Sequence, residues 1–169
     1  MVRIRMTVEY DGSRYHGFQI QHNANTVQAE LEKGIQHLTG EDVSIICAGR
    51  TDSGVHALGQ VIAFDTLTSI PGDKWKFALN SFLPADIQII ESSECIPQFH
   101  PRFDARSKTY HYIIYRQNKG HIFYRNYALH NIDFLDVAAM QAACQLLEGR
   151  HNFKSFCASG SSVKTFERS

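Results

Sequence analysis

The chain has 169 residues, 43% of them hydrophobic, which is enough for one packed domain or for one domain and part of a second, and too apolar for a disordered chain. Seventeen cationic and seventeen acidic side chains give a formal net charge of zero, so no overall excess of positive charge draws the chain to nucleic acid or to a membrane surface. Its start, MVRIRMTVEYDG, lacks the continuous apolar stretch of a signal peptide, and no apolar run reaches the roughly 18 to 20 residues that span a bilayer. The expectation is a soluble, cytoplasmic protein.

At the N-terminus Ile4, Met6 and Val8 alternate with Arg5, Thr7 and Glu9, the pattern of a half-buried strand, and Asp11 and Gly12 end it in a turn. Asn25 or Thr26 can cap a helix whose apolar positions Val27, Leu31, Ile35 and Leu38 follow helical spacing up to Gly40. Val43 to Ala48 and Val61 to Phe64 are β-branched or apolar runs predicted as strands, and the stretch AGRTDSGVHALGQ at 48 to 60 joins them. After Asp73, the positions Trp75, Ala78, Leu79 and Phe82 make one apolar helical face closed by Pro84, and Ile87 to Ile90 forms a fourth strand.

The resulting order, β-α-β-β-α-β, predicts an α+β domain of the ferredoxin-like, split β-α-β type over residues 1–103, with an antiparallel sheet and two helices on one face. A second unit is expected over 104–169. It holds a strand at Thr109 to Tyr115 and a helix after Asp133 with the stripe Val137, Met140, Cys144 and Leu147, ended by Gly149. One strand, one helix and a polar tail do not close a core of the same kind. The expectation is therefore the start of a second, similar domain cut from a longer chain.

Four cysteines, Cys47, Cys95, Cys144 and Cys157, stand far apart without a C-x-x-C pair, so they are read as buried free thiols. Charge is unevenly distributed. Residues 101 to 130 carry Arg102, Arg106, Lys108, Arg116, Lys119 and Arg125 against Asp104 alone, a balance of +5. Such a run is either a solvated face or, because Tyr110, Tyr112, Tyr115, Phe123, Tyr124 and Tyr127 are interleaved with it, a surface where bases stack and phosphates pair.

The chemistry concentrates in the glycine-rich stretch. Strand, tight loop and strand can hold the short carboxylate of Asp52 at a fixed point while Gly49 and Gly54 clear space around it. The plainer alternative is an aspartate that only hydrogen-bonds its own turn. An ordinary carboxylate is ionised at neutral pH, so it serves as nucleophile or base without tuning. Arg50 can hold that carboxylate or reach a phosphate or base. His56 has no second histidine or acid at ligand spacing, so no metal is expected. Phosphate-loop, nucleophile-elbow and dinucleotide-binding signatures are missing, which removes nucleotide hydrolysis, triad hydrolysis and dinucleotide redox chemistry.

Four segments now combine. AGRTDSGVHALGQVIAF closely resembles the GRTDxGVHaxGQV signature of the TruA family of tRNA pseudouridine synthases, and EYDGSRYHGFQIQ, NSFLPADIQI and FHPRFDARSKTYHYIIY fall around it in family order. The resemblance runs from residue 6 to about residue 157. It implies an isomerase that converts uridine to pseudouridine in the anticodon stem-loop of tRNA, with no cofactor and no metal, acting as a homodimer. By the same resemblance Asp52 is the catalytic aspartate, attacking ribose C1′ or taking a proton from C2′. Arg50 matches the arginine associated with the flipped-out nucleotide, and Tyr110 matches the tyrosine that packs on uracil.

The chain departs from the family pattern in three places. Ile20 stands where many relatives carry a basic residue, Leu58 lies at a variable position, and the family's second half, with an arginine for the catalytic aspartate and apolar residues over the uracil, is not in the chain. Two readings from other classes remain: a non-catalytic module that binds tRNA, and an α+β enzyme using Asp52 and His56 on a small molecule.

Overall fold

The computed structural model describes residues 1–157 and 165–168. It divides into two compact units, Met1–His111 and Tyr112–Ser169. The first unit is built on β1 (Val2–Tyr10), α1 (Val27–Thr39), β2 (Ile46–Cys47), β3 (Ala57–Thr66), α2 (Trp75–Asn80) and β4 (Ile87–Cys95). Its four strands form one sheet in the order β2-β3-β1-β4, and every pairing is antiparallel. This is the β-α-β-β-α-β order expected from the sequence, in a mixed α/β fold.

Alternation along β1 decides which face is buried. Ile4, Met6, Val8 and Tyr10 pack under the helices with Val27, Leu31 and Ile35 of α1 and Trp75 and Leu79 of α2. Phe64 from β3 meets the Trp75 ring edge-on, centroids 5.2 Å apart, and the indole nitrogen donates to the Ile70 carbonyl at 3.2 Å. Helix α1 begins at Thr26, whose hydroxyl accepts from the Ala29 amide, and ends at Gly40 in the left-handed region, φ 76°. Both caps lie where the sequence pattern places them.

Two elements differ from expectation, each for a local reason. Strand β2 is two residues long instead of six because the Ile45 amide and carbonyl bond to Glu32 and Gln28 of α1 rather than to β3. Helix α2 has Lys74 at its N-cap, and the Ser92 hydroxyl of β4 accepts from the Lys76 amide. Phe82 lies beyond its end and is exposed.

β4 would leave a free sheet edge, and the Asn80 side chain closes part of it by donating to the Ile89 carbonyl at 3.0 Å and accepting from the Ile89 amide at 2.7 Å. After β4 the chain passes back across the sheet. Phe99 presents its carbonyl to Arg3 of β1 at 2.9 Å, and Lys108 reaches Ala48, beside β2, at 2.8 Å. Residues 96–108 therefore run from one edge of the sheet to the other.

The second unit has β5 (Ile114–Tyr115) parallel to β6 (Leu129–His130), α3 (Val137–Gln145), and β7 (His151–Asn152) antiparallel to β8 (Glu167–Arg168). The strand expected at Thr109 to Tyr115 is paired only over its last two residues. The helix expected after Asp133 is α3, capped by Asp136, which accepts from the Ala139 amide at 2.9 Å. No residue of α3 is buried, and the stripe of Val137, Met140 and Cys144, with Leu147 beyond it, is exposed. All four cysteines are free, yet Cys144 and Cys157 are exposed, so the expectation of buried thiols holds only in part, with Cys47 and Cys95 half-buried.

Arg3 fixes both β3 and the returning chain. Its guanidinium donates to both Asp65 carboxylate oxygens, at 2.8 and 2.7 Å, and to Phe99. The Arg3 hydrogen bond holds the Asp65 carboxyl below its ordinary range despite the opposing effect of burial. A depressed carboxyl contributes stability that is present above the unfolded-state value of about 3.9 and is lost as pH falls through the folded one. Asp65→Asn is accordingly expected to lower the denaturation midpoint at pH 7, with the gap to the parent chain closing below about pH 4. A gap independent of pH would show that the ion pair is not its source.

Candidate active-site loop

Residues 48–56 connect β2 to β3, and backbone groups on either side of Asp52 are held from the segment after β1. The Phe18 amide donates to the Thr51 carbonyl at 3.1 Å, and the Gly54 amide donates to the Tyr15 carbonyl at 3.1 Å. Side chains add to this. The Tyr10 hydroxyl meets the Thr51 hydroxyl at 2.9 Å, and the Ser53 hydroxyl lies 3.4 Å from the Tyr15 carbonyl. Asp52 thus sits between two residues that are each fixed to the same neighbouring segment.

Two glycines make this approach possible. A Cβ on Gly12 would lie 2.0 Å from the Val55 carbonyl oxygen, and one on Gly17, which has φ +89°, would lie 2.6 Å from the Thr51 oxygen. Both neighbours are backbone and cannot turn aside. The glycines of DGSRYHG therefore serve the loop across from them, not only their own turn.

His56 closes the far end of the loop, with Nδ1 3.0 Å from the Asp11 carboxylate and 3.2 Å from the Gly12 amide nitrogen. The Gly12 amide donates to Nδ1, and the same edge of the ring lies against the Asp11 carboxylate. At the near end, the Gln60 amide donates to the Gly49 carbonyl at 2.5 Å, and the Lys108 ammonium donates to the Ala48 carbonyl. His56 is thereby engaged in holding the loop. Among the described residues no group of three or more His, Cys, Asp or Glu side chains is arranged to hold a metal ion.

Asp52 and Arg50 both face solvent from this loop, and Tyr110 is 84% exposed. Among the described residues no hydrogen bond, ion pair or ring contact joins the three side chains. What relates them is the backbone. Lys108 is tied to Ala48, and Tyr110 follows it by two residues, a span of at most about 7 Å, while Arg50 and Asp52 follow Ala48 by two and four. A cavity of about 310 Å³ lies elsewhere, walled by Arg5, Asp73, Lys76, Phe77, Glu91, Ser92 and Ser93. It mixes cations with carboxylates and touches none of the loop.

Residue-type reasoning about the loop does not single out Tyr10, Tyr15, Asp86 or Lys108. Each lies inside one of the segments EYDGSRYHGFQIQ, NSFLPADIQI and FHPRFDARSKTYHYIIY, whose presence around the loop sequence is the signal for them. Tyr15 is 4% exposed and donates its hydroxyl to the Asp86 carboxylate at 2.5 Å. Burial and the Asp86 carboxylate push the Tyr15 hydroxyl well above the usual phenol range, so it stays protonated as a donor.

Known proteins resemble this chain in sequence. The profile of the tRNA pseudouridine synthase family matches residues 6–104. A protein named tRNA pseudouridine synthase A from Syntrophomonas wolfei is 63% identical over 168 residues, covering 99% of this chain and 68% of the relative. Proteins of the same name from Moorella thermoacetica and Bacillus licheniformis are 48% and 44% identical, covering 98% and 96% of this chain and 68% and 67% of their own lengths. The chain belongs to the tRNA pseudouridine synthase family.

Proposed function

We propose that this chain is an isomerase that converts uridine to pseudouridine in tRNA, acting in the anticodon stem-loop, with Asp52 as the catalytic group. The observation that carries the reading is an exposed carboxylate on a loop fixed on both sides, within a chain of this family. The reaction breaks the bond from ribose C1′ to base nitrogen and forms one from C1′ to C5, and the hydrogen on C5 leaves to solvent. Asp52 either attacks C1′, generating a sugar ester that the rotated base displaces, or removes the C2′ proton and returns it later. Both routes need an ionised carboxylate beneath the sugar and a base that cannot escape.

The target uridine must leave its stack, at a cost of a few kcal/mol. Arg50 is assigned to the nucleotide extruded from the stem, where a guanidinium can fill the gap and pair with phosphate. Tyr110 is assigned to the face of the uracil, and the exposure of its ring suits a stacking partner. The cationic segment from Arg102 to Arg125 suits the tRNA backbone. Residues 104–169 are read as the start of a second domain, which the exposed stripe of α3 supports. The working form is expected to be a cytoplasmic homodimer. No helix among the described residues is long and apolar enough to cross a membrane.

Tritium release from tRNA labelled at uracil C5 tests the assignment. The chain by itself is expected to release little, and the chain joined to the part of the Syntrophomonas wolfei relative outside the match is expected to turn over, since that relative is longer by the share not covered. In the joined protein Asp52→Asn should abolish release while tRNA affinity stays within about threefold; this exchange removes the charge and keeps the shape. Sustained release by Asp52→Asn would refute the role of Asp52, and tRNA binding with no release by any form would identify a non-catalytic tRNA-binding module. Tyr110→Ala should cut kcat/KM roughly 5- to 150-fold, the kinetic equivalent of losing one base–aromatic stack, and Tyr110→Phe should keep most of it.

A further inference from the structure

We infer that Tyr15 and Asp86 form a positioning pair that holds Asp52 in place for the reaction, an inference that rests on the catalytic reading of Asp52 given above. Two segments of the signature, DGSRYHG and LPADI, contribute no group to that chemistry, and this pair is where they meet. The Tyr15 hydroxyl donates to Asp86 Oδ1 at 2.5 Å, and the Asp11 amide donates to the Asp86 carbonyl at 2.9 Å. Asp86 is therefore joined to both ends of the short 11–15 segment.

The opposite end of Tyr15 points into the loop. Its backbone carbonyl accepts from the Gly54 amide at 3.1 Å and from the Ser53 hydroxyl at 3.4 Å, the two residues that follow Asp52. A side chain fixed at its tip restrains the Cα–Cβ bond from which it hangs, and with it the backbone that carries this carbonyl. The tip lies in a buried setting, where a hydroxyl-to-carboxylate bond is stronger than in water.

The rest of Asp86 is only loosely engaged. Its Oδ2 is buried without a hydrogen-bond partner, and Arg14, whose side chain is largely exposed, approaches it at 3.4 Å, an ionic contact too long and too solvated to replace a bond. Tyr15 is thus the one close side-chain partner of the carboxylate among the described residues. Removing either hydroxyl or carboxylate should release the same restraint, and removing both should release nothing more.

The test uses Tyr15→Phe, which keeps the buried ring, with Asp86→Ala and Asp86→Asn, the last of which keeps an acceptor oxygen. In the 169-residue chain, amide hydrogen exchange of Gly54 is expected to accelerate about tenfold or more in Tyr15→Phe, in Asp86→Ala and equally in the double variant, the loss of one charge-assisted bond. Amides in β1 should not change, and Asp86→Asn should stay within about threefold of the parent. In the joined protein Tyr15→Phe should lower kcat by a similar factor with KM within twofold, as expected when a catalytic group is misplaced and substrate binding is intact.

Unchanged Gly54 exchange in Tyr15→Phe overturns the inference, whether or not Asp86→Ala folds. Faster exchange with unaltered kcat also overturns it, because the restraint would then be structural only. Failure of the Asp52 assignment is seen separately, as release by Asp52→Asn, and the exchange experiment does not depend on turnover.

Discussion

The contact on which the site depends is backbone against backbone: the segment after β1 laid along the loop between β2 and β3. Amide-to-carbonyl bonds from Phe18 to Thr51 and from Gly54 to Tyr15 cross between them on either side of Asp52. A loop is ordinarily the softest part of a domain, and the role proposed for Asp52 needs a carboxylate fixed to within a fraction of an ångström. Here the loop borrows order from a neighbour that is itself anchored on the central strand β1. The approach is close enough that Gly12 and Gly17 have no room for a side chain.

A second constraint comes from sheet topology. Strand order β2-β3-β1-β4 puts the end of β4 at the edge farthest from the loop, so the chain that follows must cross the sheet to return. It does so in two fixed steps, at Arg3 on the central strand and at Ala48 next to β2. Arg3 ties β1, β3 and the returning chain with one guanidinium, and Lys108 delivers the following residues, Tyr110 among them, to the start of the loop. A cation is thereby held at the start of the loop that carries Asp52.

Much of the first unit was legible in the residues. Alternation at Ile4, Met6 and Val8 and the 3.6-residue spacing of Val27, Leu31 and Ile35 report burial directly, and Thr26 and Gly40 mark helix ends through strictly local chemistry. The shortening of β2 was not legible. It follows from Glu32 and Gln28 on α1 capturing the Ile45 backbone, a competition between side chain and ladder that exists only once helix and strand are adjacent. In the second unit the helical period of α3 is present, but none of its residues is buried, so periodicity there describes a face and not a core.

By itself the sequence determined the family, the order of elements and the identity of Asp52, Arg50 and Tyr110 as candidates, because strand alternation, helix caps and the loop signature are short-range features. Only the tertiary structure decided how that loop is held. Tyr15, Asp86, Arg3 and Lys108 act on residues tens of positions away, through carbonyls and amides that carry no mark of residue type. His56 shows the division most clearly: among neighbours in sequence it is a candidate acid-base group, and in three dimensions its ring is engaged with Asp11 and the Gly12 backbone as part of the frame around Asp52.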